Sequence, residues 1–268
     1  MSLAFVHRPP TPRELEKLRL ILSTYQDGTG MLQDKKRNGR TLPGWRDFER
    51  AVALAFSGIA PENKAVFDVL LPDPDKPGVK YGLSCKMRGE LDRIDRDGRV
   101  TIELSNSAKK FWAHLKTKKT DEKNYKRRPR QVGVALVELV GQWHHASSVE
   151  QGGEVDLAAS SYLVLSWNKK GWYQLHWFAL ELPDPDQLVW KFPTAGHLSG
   201  DDGSGTVFEW YGESGGQLKY YPRADAAIWA SNRFHLEPLP ENLEHGILAK
   251  VSAYYPNLWA EACRVLPA

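Results

Sequence analysis

Apolar residues recur with helical spacing near the start of the chain. Leu15, Leu18, Ile21 and Leu22 mark one face of a segment that opens at Thr11-Pro12-Arg13-Glu14. Thr11 suits a cap, Pro12 fits the first helical position, and Glu14 completes a capping box. The pattern predicts a helix that ends by Gly28. A polar loop with Lys35, Lys36, Arg37 and Arg40 follows. A second helix is predicted from about Pro43 to Ser57, with Trp45, Phe48, Val52 and Phe56 inward and Gly58 and Pro61 as its stop.

The period then changes. Residues 65–71 read as a strand that is apolar apart from Asp68. Residues 81–87 read as a second, carrying Ser84 and Lys86, and residues 99–104 as a third, carrying Thr101 and Glu103 after the turn Asp95-Arg96-Asp97-Gly98. Asn106 can cap a helix bearing Phe111, Trp112 and Leu115. Residues 132–140 read as a mostly buried strand, with His144 and His145 pointing apart on its extension. Residues 162–167 and 172–182 make a hairpin about Asn168-Lys169-Lys170-Gly171. Further strands are expected at 188–192, 206–210 and 218–221, an exposed loop at 201–205, and a closing helix over 241–262. The expected class is α/β (α+β): a mixed β-sheet core flanked by helices, with a β-rich half from about residue 150. No flexible linker divides residues 1–268, which predicts one domain.

Composition narrows the class. The 268 residues are 41% hydrophobic, and ten Trp, ten Tyr and nine Phe supply ample core material, which excludes disorder across the chain. A net charge of +3 permits a nucleic-acid partner without demanding one, so the placement of the cations matters more. Cys85 and Cys263 stand far apart and match no zinc spacing. With no secretory leader, they point to a reduced, cytoplasmic protein. No run of eighteen apolar residues suggests a membrane span.

Strand side chains alternate between faces. Ser84 and Lys86 share one face of their strand, against Leu83, Cys85 and Met87; Thr101 and Glu103 share one face of theirs. If the three strands are neighbours, Asp68, Ser84, Lys86 and Glu103 gather on one side of a sheet. Phosphodiester hydrolysis needs such a set. Carboxylates hold Mg²⁺, which activates water and offsets charge on the phosphate, while a lysine orients the water. A plainer reading of the same residues has Lys86 as an ion-pair partner of Asp68, with Glu103 solvated on an open face.

Asp68 on one strand with Lys86 eighteen positions later on the next resembles the core of the PD-(D/E)xK nucleases, which include many type II restriction endonucleases. The match covers about residues 45 to 115, within an implied catalytic core of about 43–140, and leaves residues 150–268 for recognition. Phe67 stands where the family often has proline, and Ser84 where the pattern asks for an acid. The resemblance therefore implies a migrated second carboxylate, assigned to Glu103 with Glu90 behind it. It also implies that Glu49, on the helix ahead of the first catalytic strand, joins the site. Asp68 and Glu103 would hold Mg²⁺, Lys86 would serve the attacking water, and Ser84 would tune that shell.

A basic tract follows: Lys109, Lys110, Lys116, Lys118, Lys119, Lys123, Lys126, Arg127, Arg128 and Arg130, opposed by Asp121 and Glu122. It suits phosphate contacts along DNA, or else is a solvated face. The combined expectation is an endonuclease that cuts double-stranded DNA at a short site, as a homodimer. A repair or structure-specific nuclease and a catalytically inactive DNA-binding protein remain open. Arg37, Arg40, Lys169, Lys170, Asn232 and Arg233 are candidates for reading bases.

Overall fold

The computed structural model describes residues 5–34, 40–62, 66–105, 107–194, 196–212, 216–240 and 247–263. In chain order the elements are α1 (Pro12–Thr24), β1 (Leu32–Gln33), β2 (Thr41–Leu42), α2 (Trp45–Ala55), β3 (Val69–Pro72), β4 (Lys80–Arg88), α3 (Leu91–Asp97), β5 (Ile102–Ser105), α4 (Ala108–Thr117) and α5 (Pro129–Ala146). Then come β6 (Ser161–Trp167), β7 (Trp172–Ala179), β8 (Val189–Thr194), β9 (His197–Asp201), β10 (Thr206–Tyr211), β11 (Gln217–Tyr220), β12 (Trp229–Ala230), β13 (Phe234–His235), α6 (Ile247–Tyr254) and α7 (Pro256–Ala262). The fold is mixed α and β, as expected.

One sheet has the order β12-β7-β6-β4-β3, with β13 also on β7; β4 pairs antiparallel with β3 and parallel with β6. A second sheet has the order β5-β11-β10-β9-β8 and is antiparallel throughout. Both sheets combine strands from the two halves of the chain. Residues 43–140 therefore do not close on themselves: β6 and β7 complete the sheet that carries Lys86.

Local chemistry explains the helix starts. Glu14 N–H donates to Thr11 Oγ1 at 3.2 Å, and Thr11 N–H donates to the Glu14 carboxylate at 2.7 Å, which is the anticipated capping box. At α2, Gly44 and Met31 N–H donate to Asp47 at 2.9 and 2.8 Å. Trp45, expected inward, is 55% exposed at the first position of α2; Phe48, Ala51 and Val52 form the buried face.

Four expectations need correction. Residues 132–140 lie in α5, because Val132, Ala135, Leu136, Leu139 and Val140 recur at spacings of three and four and Pro129 suits a first helical position. His144 and His145 are therefore helical. Residues 91–97 form α3, closed by Gly98 in the left-handed region (φ 65°), so the third strand starts only at Ile102 and joins the second sheet. The closing helix is two helices, α7 restarting at Pro256; residues 241–246 lie outside the described set, as do Ala65, Asn106 and Lys35, Lys36 and Arg37. Finally, β9 forms where no strand was expected. Its Gly200 lies beneath Trp190, where a Cβ would come within 2.8 Å of the ring.

Three apolar clusters hold the layers together. Leu18, Leu22, Phe48 and Val52 pack against Leu83, Cys85, Leu163 and Leu165 on one face of the first sheet. Leu91, Ile94 and Ile102 pack against Tyr162, Val164 and Phe178 on the other face. α4 and α5 cover the second sheet through Phe111, Leu136, Trp190 and Trp210. No helix among the described residues is long and apolar enough to cross a membrane.

Candidate active site

The β3–β4 ladder sets the centre of the site. Val69 stands opposite Leu83, and Asp68 N–H donates to Leu83 O at 3.0 Å, so Asp68 enters the ladder just before pairing begins. Alternation along β4 turns Leu83 and Cys85 to the α1–α2 side and Ser84, Lys86 and Arg88 to the other. Lys86 Nζ donates to Asp68 Oδ2 at 2.8 Å, and Ser84 Oγ lies 3.4 Å from the same oxygen. The Asp68 and Lys86 side chains are 26% and 19% exposed, so the pair is partly desolvated yet open to solvent.

Glu49, on α2, is coupled to this pair through its charge. It is buried, and Arg46 donates to it at 2.8 Å. Burial, and next the negative charge of Asp68, push the Glu49 carboxyl above its ordinary range, while Arg46 and Lys86 oppose the shift. Two carboxylates and one ammonium thus share one electrostatic field.

An aromatic wall stands beside them. Phe67 lies against Gly82, where an added Cβ would meet its ring at 2.4 Å, and His144 of α5 stacks on Phe67 with centroids 5.7 Å apart. Burial, and then the Lys86 charge, lower the His144 pKa to about 4, so the imidazole is neutral at pH 7.

The structure does not place Glu103 as expected. Its strand pairs with β11, whereas β4 is flanked by β3 and β6. Glu103 instead forms an ion pair with Arg88, two residues along from Lys86. Glu90 is also engaged, by Thr101 Oγ1 and by Arg93 at 3.3 Å. Face parity within β4 could have flagged Arg88, which sequence reasoning overlooked. His144 was hidden by the misassigned strand.

Among the described residues no three His, Cys, Asp or Glu side chains converge, so a closed transition-metal site is not built. Mg²⁺ asks for less, being held by one or two carboxylates with waters and substrate phosphates. The charges of Asp68 and Glu49 are coupled, whereas Glu103 is paired with Arg88.

The basic tract is exposed at every position, from Lys109 and Lys110 on α4 to Arg130 on α5. It does not all adjoin the catalytic strands. Lys110 lies over the Trp143 ring at 5.4 Å, near the His144 end of α5, whereas Arg127, Arg128 and Arg130 stand at the other end. Of the base-reading candidates, Arg233 is ion-paired with Asp95, and Lys169 and Lys170 are exposed at the β6–β7 tip. No family model matches the chain, and neither the curated proteins nor the solved structures give a match.

Proposed function

We propose that this chain is a Mg²⁺-dependent endonuclease that hydrolyses double-stranded DNA at a short specific sequence, as in type II restriction. The observation that carries the proposal is the solvent-open Asp68–Lys86 pair, with Ser84 beside it and the buried Glu49 carboxyl in the same field. A lone buried ion pair would not need the second carboxylate, whose charge the fold disfavours.

Asp68 and Glu49 would hold the ion, which supplies charge neutralisation at the phosphate and lowers the pKa of water. Lys86 is placed to orient the attacking water and to attract a non-bridging phosphate oxygen. The water oxygen bonds to phosphorus, one P–O ester bond breaks, and the leaving oxygen takes up a proton. Ser84 donates to the carboxylate that Lys86 also touches, which fixes the orientation of Asp68. The exposed cations of α4 and the loop after it supply non-specific affinity for the duplex. Cutting both strands asks for two such centres, hence a homodimer, working in the reducing cytoplasm that suits the free thiols Cys85 and Cys263.

One observation favours a second reading, a DNA-binding protein without catalysis. Lys86, Arg88 and Arg46 are each paired with a carboxylate, so the site is electrostatically closed without a ligand. Incubating supercoiled plasmid with the protein and Mg²⁺ separates the possibilities. Discrete fragments support site-specific cutting, and a smear supports a nuclease of another role. Intact plasmid with retarded mobility supports binding alone.

A further inference from the structure

A groove of about 530 Å³ opens at the start of α5, lined by Lys118, Arg127, Arg128, Arg130 and Gln131, with Glu138 and Asp186 among its other walls. The two acids are already committed: Glu138 lies 3.4 Å from Lys118, and Asp186 lies 2.5 Å from Arg130. Among the described residues Arg127 and Arg128 have no carboxylate partner, so the groove keeps an uncompensated surplus of positive charge. Arg128 Nη1 donates to Lys119 O at 3.0 Å, which tethers its guanidinium at the groove. α5 also begins here without a side-chain cap, Pro129 taking the first position, so the positive end of the helix lies at the groove.

These features select the ligand. Guanidinium forks and a helix N-terminus match phosphate oxygens. No aromatic ring lines the groove to stack a base, so it suits a phosphate presented by a polymer rather than a free nucleotide. Position selects the polymer. The far end of α5 carries His144, stacked on Phe67 next to Asp68. From 128 to 144 is sixteen residues, about 24 Å along the helix. Exposed Lys110 and Lys116 on α4, and Lys118 just after it, mark the way between the two ends.

We propose that this groove is a second phosphate-binding site, which holds a backbone phosphate of the bound DNA duplex about seven base pairs from the cleaved bond, given roughly 3.4 Å per base pair. The proposal rests on the cleavage reading only for that spacing; the phosphate contact itself stands apart from catalysis.

The test is equilibrium binding of a 30-base-pair duplex in EDTA, with salt varied, for the parent and for Arg127→Gln/Arg128→Gln. The slope of log K against log salt should be shallower by about 1 in the variant, as for one lost phosphate contact. An unchanged slope overturns the site whether or not the protein cuts DNA. A shallower slope in a protein that cuts nothing keeps the site and removes the cleavage reading. If the protein cuts, ethylation of single phosphates should weaken binding of the parent about seven base pairs from the cut, and that signal should vanish in the variant. A signal that persists in the variant overturns the placement.

Discussion

Lys86 and Asp68, eighteen residues apart in sequence, meet across the β3–β4 ladder with Nζ 2.8 Å from Oδ2. Each neutralises the other in a partly desolvated place, so removing one leaves the other without its counter-ion. Lys86→Gln should cost about 1–2 kcal/mol of stability, between the values for surface and buried pairs. Denaturant titration measures this. In the same variant DNA cutting should fall about a hundredfold or more, as for a lost acid–base group.

Glu49 and Glu103 separate cleanly as second anchors for the ion. Glu49→Gln should reduce cutting by at least about a hundredfold, whereas Glu103→Gln, which loses only its pairing with Arg88, should be milder. Stability should move the other way at position 49. The folded Glu49 carboxyl titrates above its unfolded value, so its contribution is complete below the unfolded carboxylate range and is lost as pH rises through the folded pKa. At neutral pH the charged form is unfavourable, and Glu49→Gln should raise Tm in the presence of chelator. Normal cutting by Glu49→Gln alongside an inactive Glu103→Gln would return the second anchor to Glu103.

Gly82 couples packing to the site. A Cβ there would come within 2.4–2.5 Å of the Phe67 ring, on which His144 stacks. Gly82→Ala should therefore cost about 1–3 kcal/mol. It should also slow cutting beyond what the lost stability explains, because Phe67 precedes Asp68 in the chain. Single-turnover cutting well below Tm checks the second effect.

Buried His176 and half-buried His144 make the fold acid-sensitive. Burial lowers His144 and His176 to about 4. Each keeps its full contribution above the unfolded histidine pKa and loses it as pH falls through about 4. Stability should decline over pH 6.5 to 4, each histidine adding up to about 1.4 kcal/mol per pH unit. His176→Phe should flatten the decline, which pH-dependent urea titrations would show.

Much of this architecture was legible in local pattern. The capping box at Thr11, the hairpin about Asn168 and the shared face of Ser84 and Lys86 all follow from interactions within a few residues. Strand order does not. β4 takes β6 as its parallel neighbour across more than seventy residues, and nothing near Glu103 announces that its strand pairs with β11 instead. The valines of α5 favoured a strand by type while their spacing favoured a helix, and the helix packs against Trp190; at Gly133 an added Cβ would meet that ring at 2.2 Å. Glu49 could be placed on its helix from sequence, but its depth and its nearness to Asp68 depend on how α2 lies on the sheet.

The measurement that bears most directly on the central proposal compares the parent with Asp68→Asn on supercoiled plasmid, with Mg²⁺ and with EDTA. Asn keeps the shape of the side chain and removes the charge that would hold the ion. The parent should cut with Mg²⁺ and stop with EDTA. Asp68→Asn, shown folded by its melting transition, should be slower by roughly a thousandfold, a loss of several kcal/mol of barrier lowering. An Asp68→Asn protein that cuts at the parental rate, or a parent that leaves plasmid intact under every divalent cation supplied, would contradict the proposed site.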